Sequence, residues 1–182
     1  HVGAAAADFA RSVGAREDQR HVVSALDLRA AALLAPASPD GIVLRSWLGA
    51  CPAALLESFV RARNGMSDAP VPAGQDMPTW TVGSQRSDES RWAARSHDVL
   101  TTVALEAEEV VALTGVRVPP APAAEALTDD TTTVAAHRGR GLALAVKLEN
   151  LRRLREERGD VERVMTRNAE INAGILAVNA RI

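Results

Sequence analysis

Apolar residues along this chain follow two spacings, and each spacing predicts an element. Leu144, Leu148, Leu151 and Leu154 recur at helical intervals, which puts them on one face of a helix over Leu142–Arg158, closed by Gly159. Two denser runs, Val99–Glu106 and Val110–Val118, are rich in β-branched residues and are separated only by Ala107-Glu108-Glu109, so they read as a hairpin. Further strands are predicted over His21–Leu28, Gly41–Leu48, Thr131–Ala135 and Val161–Thr166. Further helices are predicted over residues 2–12, stopping near Gly14, over Pro52–Asn64 with Pro52 in the first turn, at Ser90–His97 and over Ala169–Arg181. Residues 29–40, with Pro36 and Pro39, and Pro119–Ala126 read as loops. Residues 65–90, rich in Gly, Pro, Ser and Asp, read as one long irregular region; such a loop in a compact domain commonly shapes a binding site. From Gly41 onward the order is strand, helices, two strands, strand, helix, strand, helix, which predicts an α/β domain with a mixed sheet.

Composition narrows the function classes. The 182 residues suit one domain, or one domain plus a fragment, and 47% hydrophobic content supports a packed core. A formal net charge of −2 gives no reason to expect nucleic acid or an anionic membrane as partner. The lone Cys51 forms no internal disulfide, and without a Cys/His cluster no metal site is expected; a reducing, cytoplasmic setting fits best. No apolar run reaches the roughly 18–20 residues that cross a bilayer. The alanine-rich start contains Asp8 and lacks a basic segment, so it does not read as a signal peptide. The chain has no tyrosine.

The chemistry concentrates in Thr131–Lys147, TTTVAAHRGRGLALAVK. A β-branched run passes through Arg138-Gly139-Arg140-Gly141 into a strong helix former, a turn able to present backbone N–H groups and a helix N-terminus to one anion. Glycines alone leave a ligand-free connection equally open. The pattern is neither the dinucleotide fingerprint nor a Walker A loop, since no G-x-G-x-x-G and no Gly-Lys-Ser/Thr is present there.

Arg138-x-x-Gly141-x-Ala143 resembles the R/Q-x-x-G-x-G/A motif of the GCN5-related N-acetyltransferases, the GNAT superfamily. Met165–Ile182, MTRNAEINAGILAVNARI, is similar to a later segment of many members, T-x-N-A-x-x-N-x-x-M-x-x-V-N. Gly41-x-x-Leu44-x-x-Trp47, Pro52 and Met66-Ser67-Asp68-Ala69-Pro70 look like the opening of the second domain in tandem acetyltransferases of actinobacterial type. The resemblance implies a mixed, mostly antiparallel twisted sheet flanked by helices. It also implies acetyl-CoA as acyl-donor substrate and an amine, foremost a small molecule, as acceptor. The turn formed by Arg138, Gly139, Arg140, Gly141, Leu142 and Ala143 would cradle the pyrophosphate. Thr131, Thr132 and Thr133 would pair with the pantetheine arm and aim a backbone N–H at the thioester carbonyl. Asn172 would face the pantetheine or the thiol, and Asn168 would cap the last helix.

Glu106, Asp130 and Asp68 are the carboxylates placed to act as general base, near strand ends or the long loop. The resemblance puts the usual thiolate-protonating tyrosine at Asn179, a poor acid. An alternative reading is therefore a catalytically silent domain that binds CoA or braces an active partner. Arg152-Arg153-Leu154-Arg155-Glu156-Glu157-Arg158 reads as a solvated helix face with local ion pairs. Trp47, Trp80 and Trp92 read as core or pocket wall. Residues 1–30 resemble the tail of a preceding acetyltransferase-like domain, with 31–40 a linker and 41–182 the GNAT domain lacking its last strands. An alternative is that residues 1–28 pack onto the end of this sheet and replace the absent strands. The expected partner is another such domain, in the same chain or as a homodimer.

Overall fold

A computed structural model describes residues 4–36, 39–65 and 77–182. The chain runs α1 (Ala4–Ser12), β1 (His21–Asp27), β2 (Ile42–Leu48), a 3-10 turn (Ala53–Leu55), α2 (Leu56–Asn64), α3 (Val82–Ala93), β3 (Asp98–Glu106), β4 (Glu109–Val118), β5 (Glu125–Thr133), α4 (Leu142–Glu157), β6 (Arg163–Ala169) and α5 (Ala173–Asn179). The six strands form one sheet in the order β1-β6-β5-β4-β3-β2. All neighbours are antiparallel except β5 and β6, which are parallel. The mixed sheet expected from the sequence is thus present. The hairpin turn places Ala107 and Glu108 at positive φ (47° and 70°), as a tight two-residue connection requires.

Alternation along β3 assigns the two faces. Val103 and Leu105 pack with Phe59, Val60 and Leu55 beneath α2. Ala104 packs with Leu142 and Val146 of α4 on the other side. Farther along, Leu151 and Leu154 of α4 meet Leu100, Val116 and Val164 in a third cluster, which also takes in Leu28 and Leu33. The segment after β1 is therefore built into the core, and β1 itself pairs with β6 over His21↔Ala169 to Asp27↔Arg163.

One polar thread crosses this core. Asn150 is fully buried and donates to the carbonyl of Leu100 and to Thr102 Oγ1, each at 3.0 Å. The Thr102 hydroxyl in turn meets Ser46 Oγ at 2.8 Å, so α4 is tied to β3 and β2. Asn150→Ala removes these bonds and opens a cavity. It should lower unfolding free energy by about 2–4 kcal/mol, read as a reduced midpoint in chemical denaturation.

Several boundaries differ from the sequence reading. The region 65–90 is not irregular throughout: α3 begins at Val82, where Thr81 and Ser84 cap each other reciprocally, and it ends before His97. Serine at the third helical position gives weaker warning of a start than Glu or Gln. β5 begins at Glu125, inside the expected Pro119–Ala126 loop, so Thr131–Thr133 are its end and not its beginning. β6 runs to Ala169, and α5 starts only at Ala173, because Asn172 and not Asn168 caps it, accepting from the N–H of Ile175 at 3.3 Å. Asp68 lies outside the described residues.

Candidate active site

The parallel pair makes the site. β5 and β6 are in register from Glu125↔Arg163 only as far as Leu127↔Met165. Beyond that rung the strands part, and a cavity of about 750 Å³ opens between them. Asp129 to Thr133 form one wall, Thr166 to Ala169 the other, and Asn172, Ile175 and Val178 of α5 lie across the gap.

At the wide end lies the glycine turn. Gly139 and Gly141 have φ of +78° and +77°, a region that costs other residues strain, and Gly141 is the N-cap of α4. No side chain caps this helix, so the N–H groups of its first turn, at Leu142, Ala143 and Leu144, border the cavity with the positive end of the helix dipole behind them. Arg138 reaches back along the turn, donating from Nε to the carbonyl of Thr133 at 3.1 Å. Thr133 Oγ1 is buried without a hydrogen-bond partner.

Of the residues singled out in sequence, Asp130, Thr131, Thr132, Thr133, Arg138, Gly139, Gly141, Leu142, Ala143 and Asn172 all border this cavity. Arg140 and Glu106 do not. Arg140 turns away to pair with Glu106 at 2.8 Å, and His137 Nδ1 lies 3.2 Å from the same carboxylate. The hydrogen bond from Arg140, helped by its charge and that of His137, holds the Glu106 carboxyl below its ordinary range. Glu106 is therefore a poor base, serving to brace the turn from the end of β3. Asn168 borders the cavity too, but it is tied to Asn179, whose Nδ2 donates to it at 2.9 Å.

A second cavity, of about 260 Å³, opens on the α2–α3 side of the sheet, walled by Trp47 and Trp92 and by Cys51, Gln85 and Glu89. Asp129 and Asp130 border both cavities. A β-bulge puts them there. Thr114 pairs with Thr131 and Val116 with Thr128, so the two aspartates together oppose the single residue Gly115.

Their environments differ. Asp130 is gripped by Arg63, whose Nη2 and Nε lie 2.6 and 2.7 Å from its Oδ2, while the guanidinium stacks on Trp80 at 3.4 Å. Asp129 pairs with Arg117, which lies 3.9 Å over the Trp92 ring. Burial outweighs that ion pair and pushes the Asp129 carboxyl up to about 6. Cys51 is inert: burial, then the nearby Glu89 charge, raises its thiol to about 11. Asp129 escaped the sequence reading, because only the bulge turns it toward the cavities. Its one sequence signal is an acidic pair inside a threonine-rich strand.

Solved structures resemble this fold. A tandem GNAT protein from the clavulanic acid biosynthesis pathway superposes with a TM-score of 0.73 at 28% identity, over 96% of this chain and 53% of its own. The fold is that of the GNAT acetyltransferases. A GCN5-related N-acetyltransferase from Sphaerobacter thermophilus gives 0.70 at 19% identity, over 98% of this chain and 52% of that one. The NatC complex bound to Gag peptide and CoA gives 0.54 at 12% identity, over 77% and 82%. The chain spans about half the length of the first two GNAT structures. No protein-family profile and no curated protein matches the sequence. Among the described residues no helix is long and apolar enough to cross a membrane, and no group of three or more potential ligands could hold a metal ion.

Proposed function

We propose that the chain is an N-acetyltransferase domain that carries acetyl-CoA in the larger cavity and an amine in the smaller one. The observation that carries this reading is the pair of aspartates in the bulge of β5, shared by two cavities, one of which ends at an uncapped helix N-terminus. The pyrophosphate sits on the N–H groups of Gly139 to Leu144. Arg138 braces the turn from below, and Arg140 holds it through Glu106. The pantetheine arm lies along β5 at Thr131, Thr132 and Thr133, on the side from which β6 has parted, opposite their pairing with β4. Asn172 fixes the start of α5 against it. A backbone N–H of that edge faces the thioester oxygen and stabilises the oxyanion.

Asp129 is the general base. With its carboxyl near 6 it is ionised at neutral pH and still basic enough to take a proton from an ammonium. Asp130, locked by Arg63, positions the bulge. The amine then attacks the thioester carbonyl directly; a thiol held at about 11 leaves no role for an acyl-cysteine. The tryptophan walls and the carboxylates of the smaller cavity suit a small amine with an apolar body.

The domain division that goes with this reading assigns 1–30 to the tail of a preceding acetyltransferase-like domain, which lends β1 to this sheet, and 41–182 to the GNAT domain proper. The tandem neighbour supports a partner domain of the same kind. The test is release of CoA from acetyl-CoA in the presence of a panel of primary amines, together with thermal protection by CoA. Protection with acetylation of at least one amine is the expected result. Protection with no turnover on any amine would instead favour a silent CoA-binding domain, and no protection would remove the reading altogether.

A further inference from the structure

Lys147, on the second turn of α4, is 6% exposed, and among the described residues no hydrogen bond or ion pair engages its ammonium. A buried lysine without a carboxylate is costly, which makes the position worth explaining. The side chain borders a small cavity of about 80 Å³ together with Ser24, Thr128, Val164, Thr166 and Asn179. None of the side chains bordering this cavity from β1, β5, β6, α4 or α5 carries a charge besides Lys147 itself. The side-chain Oδ1 of Asn179 is also buried without a donor.

The location gives the lysine a job. Thr128 and Thr166 are the first residues beyond the last paired rung of β5 and β6, so this small cavity lies at the apex of the fork. Thr166 also borders the large cavity, and Thr128 precedes Asp129 in the strand. Consecutive strand residues face opposite sides. Lys147 therefore approaches the apex from the α4 side, while Asp129 faces the amine cavity on the other.

We propose that Lys147 stabilises and protonates the sulfur that leaves when the thioester is cleaved, an inference that rests on acetyl-CoA occupying the larger cavity. In balance, the ammonium substrate gives one proton to Asp129, and the free amine adds to the carbonyl carbon. Asp129 passes its proton to solvent, the adduct loses its second nitrogen proton to water as the C–N bond is set, and the C–S electron pair departs with sulfur. Nζ of Lys147 gives sulfur a proton, forming the free CoA thiol, and regains one from solvent. The net products are the acetamide, CoA and one proton. Burial lowers the Lys147 ammonium to about 8, so it is charged at neutral pH and parts with a proton readily. Its role also answers the absence of tyrosine from the chain.

The test needs no acceptor. CoA is bound to the wild-type protein, to Lys147→Met, which keeps the length of the side chain, and to Lys147→Arg, which keeps the charge. The thiol of bound CoA is then titrated by the ultraviolet absorbance of its thiolate. Cys51, held at about 11, stays out of the window. On the wild type the bound thiol should titrate about one pH unit or more below free CoA, a change of about tenfold in its acidity. The shift should persist in Lys147→Arg and vanish in Lys147→Met. An identical thiol titration in wild type and Lys147→Met, with CoA bound to both, overturns the role of Lys147 alone. Failure of the wild type to bind CoA overturns the acetyl-CoA reading with it. Thermal protection by CoA in each variant reports folding and binding separately from the titration.

Discussion

Asp129→Asn should slow acetylation of any amine the protein accepts by about 10²–10⁴-fold, the range over which a positioned general base contributes. CoA binding should be unchanged, because the substitution leaves the glycine turn intact. The pH dependence supplies the sharper signature. The active form of Asp129 is ionised, and its carboxyl is raised to about 6, so wild-type turnover should fall as pH drops through about 6. Without the raised carboxyl, Asp129→Asn should lose that acidic limb while its residual rate stays low. Asp130→Asn makes the informative comparison. Its partner Arg63 would be left over the Trp80 ring without a carboxylate, so its defect should follow disturbance of the bulge, with the limb near 6 retained. Initial rates of CoA release from pH 5 to 9 for the three proteins check both statements.

Gly141→Glu should weaken CoA binding by about a hundredfold or more. The backbone at Gly141 has a φ of +77°, which strains any side-chain-bearing residue by about 1–3 kcal/mol. That strain burdens folding, while the loss of affinity comes from the new carboxylate, which would meet the phosphates at the N-terminus of α4; a hundredfold corresponds to roughly 2.8 kcal/mol. Open space surrounds the position, with nothing within 4 Å of an added Cβ, so the domain should still fold. Fluorescence or calorimetric titration of CoA measures the loss, and a retained cooperative melt confirms that the loss is local.

How far the sequence carried this account depends on the kind of signal. The helical stripe Leu144-Leu148-Leu151-Leu154 and the β-branched hairpin were legible because burial on one face imposes a period. The anion turn was legible because only glycine enters positive φ freely, at Gly139 and Gly141. The chemistry around the acetyl group was not. Asp129 turns inward only because two residues oppose Gly115, and a bulge leaves no periodic trace. Glu106 looked like a base at a strand end, yet Arg140, far along the chain, reaches it and fixes it as an anion. The two asparagines near α5 were exchanged for a similar reason. Either could cap a helix, and the extra length of β6 decides in favour of Asn172. Lys147 reads in sequence as one polar residue on an amphipathic helix, and only the parting of β5 from β6 shows what lies over it.

Acetyl-CoA is expected in the cleft between β5 and β6, with its phosphates on the turn into α4. Backbone hydrogen exchange, followed by peptide or by residue with and without acetyl-CoA, tests it most directly. Exchange is predicted to slow at Gly139 to Leu144 and along Asp129 to Thr133, with α1 and α3 unaffected. Unchanged exchange at both segments in saturating acetyl-CoA, or protection confined to another part of the sheet, would contradict the account.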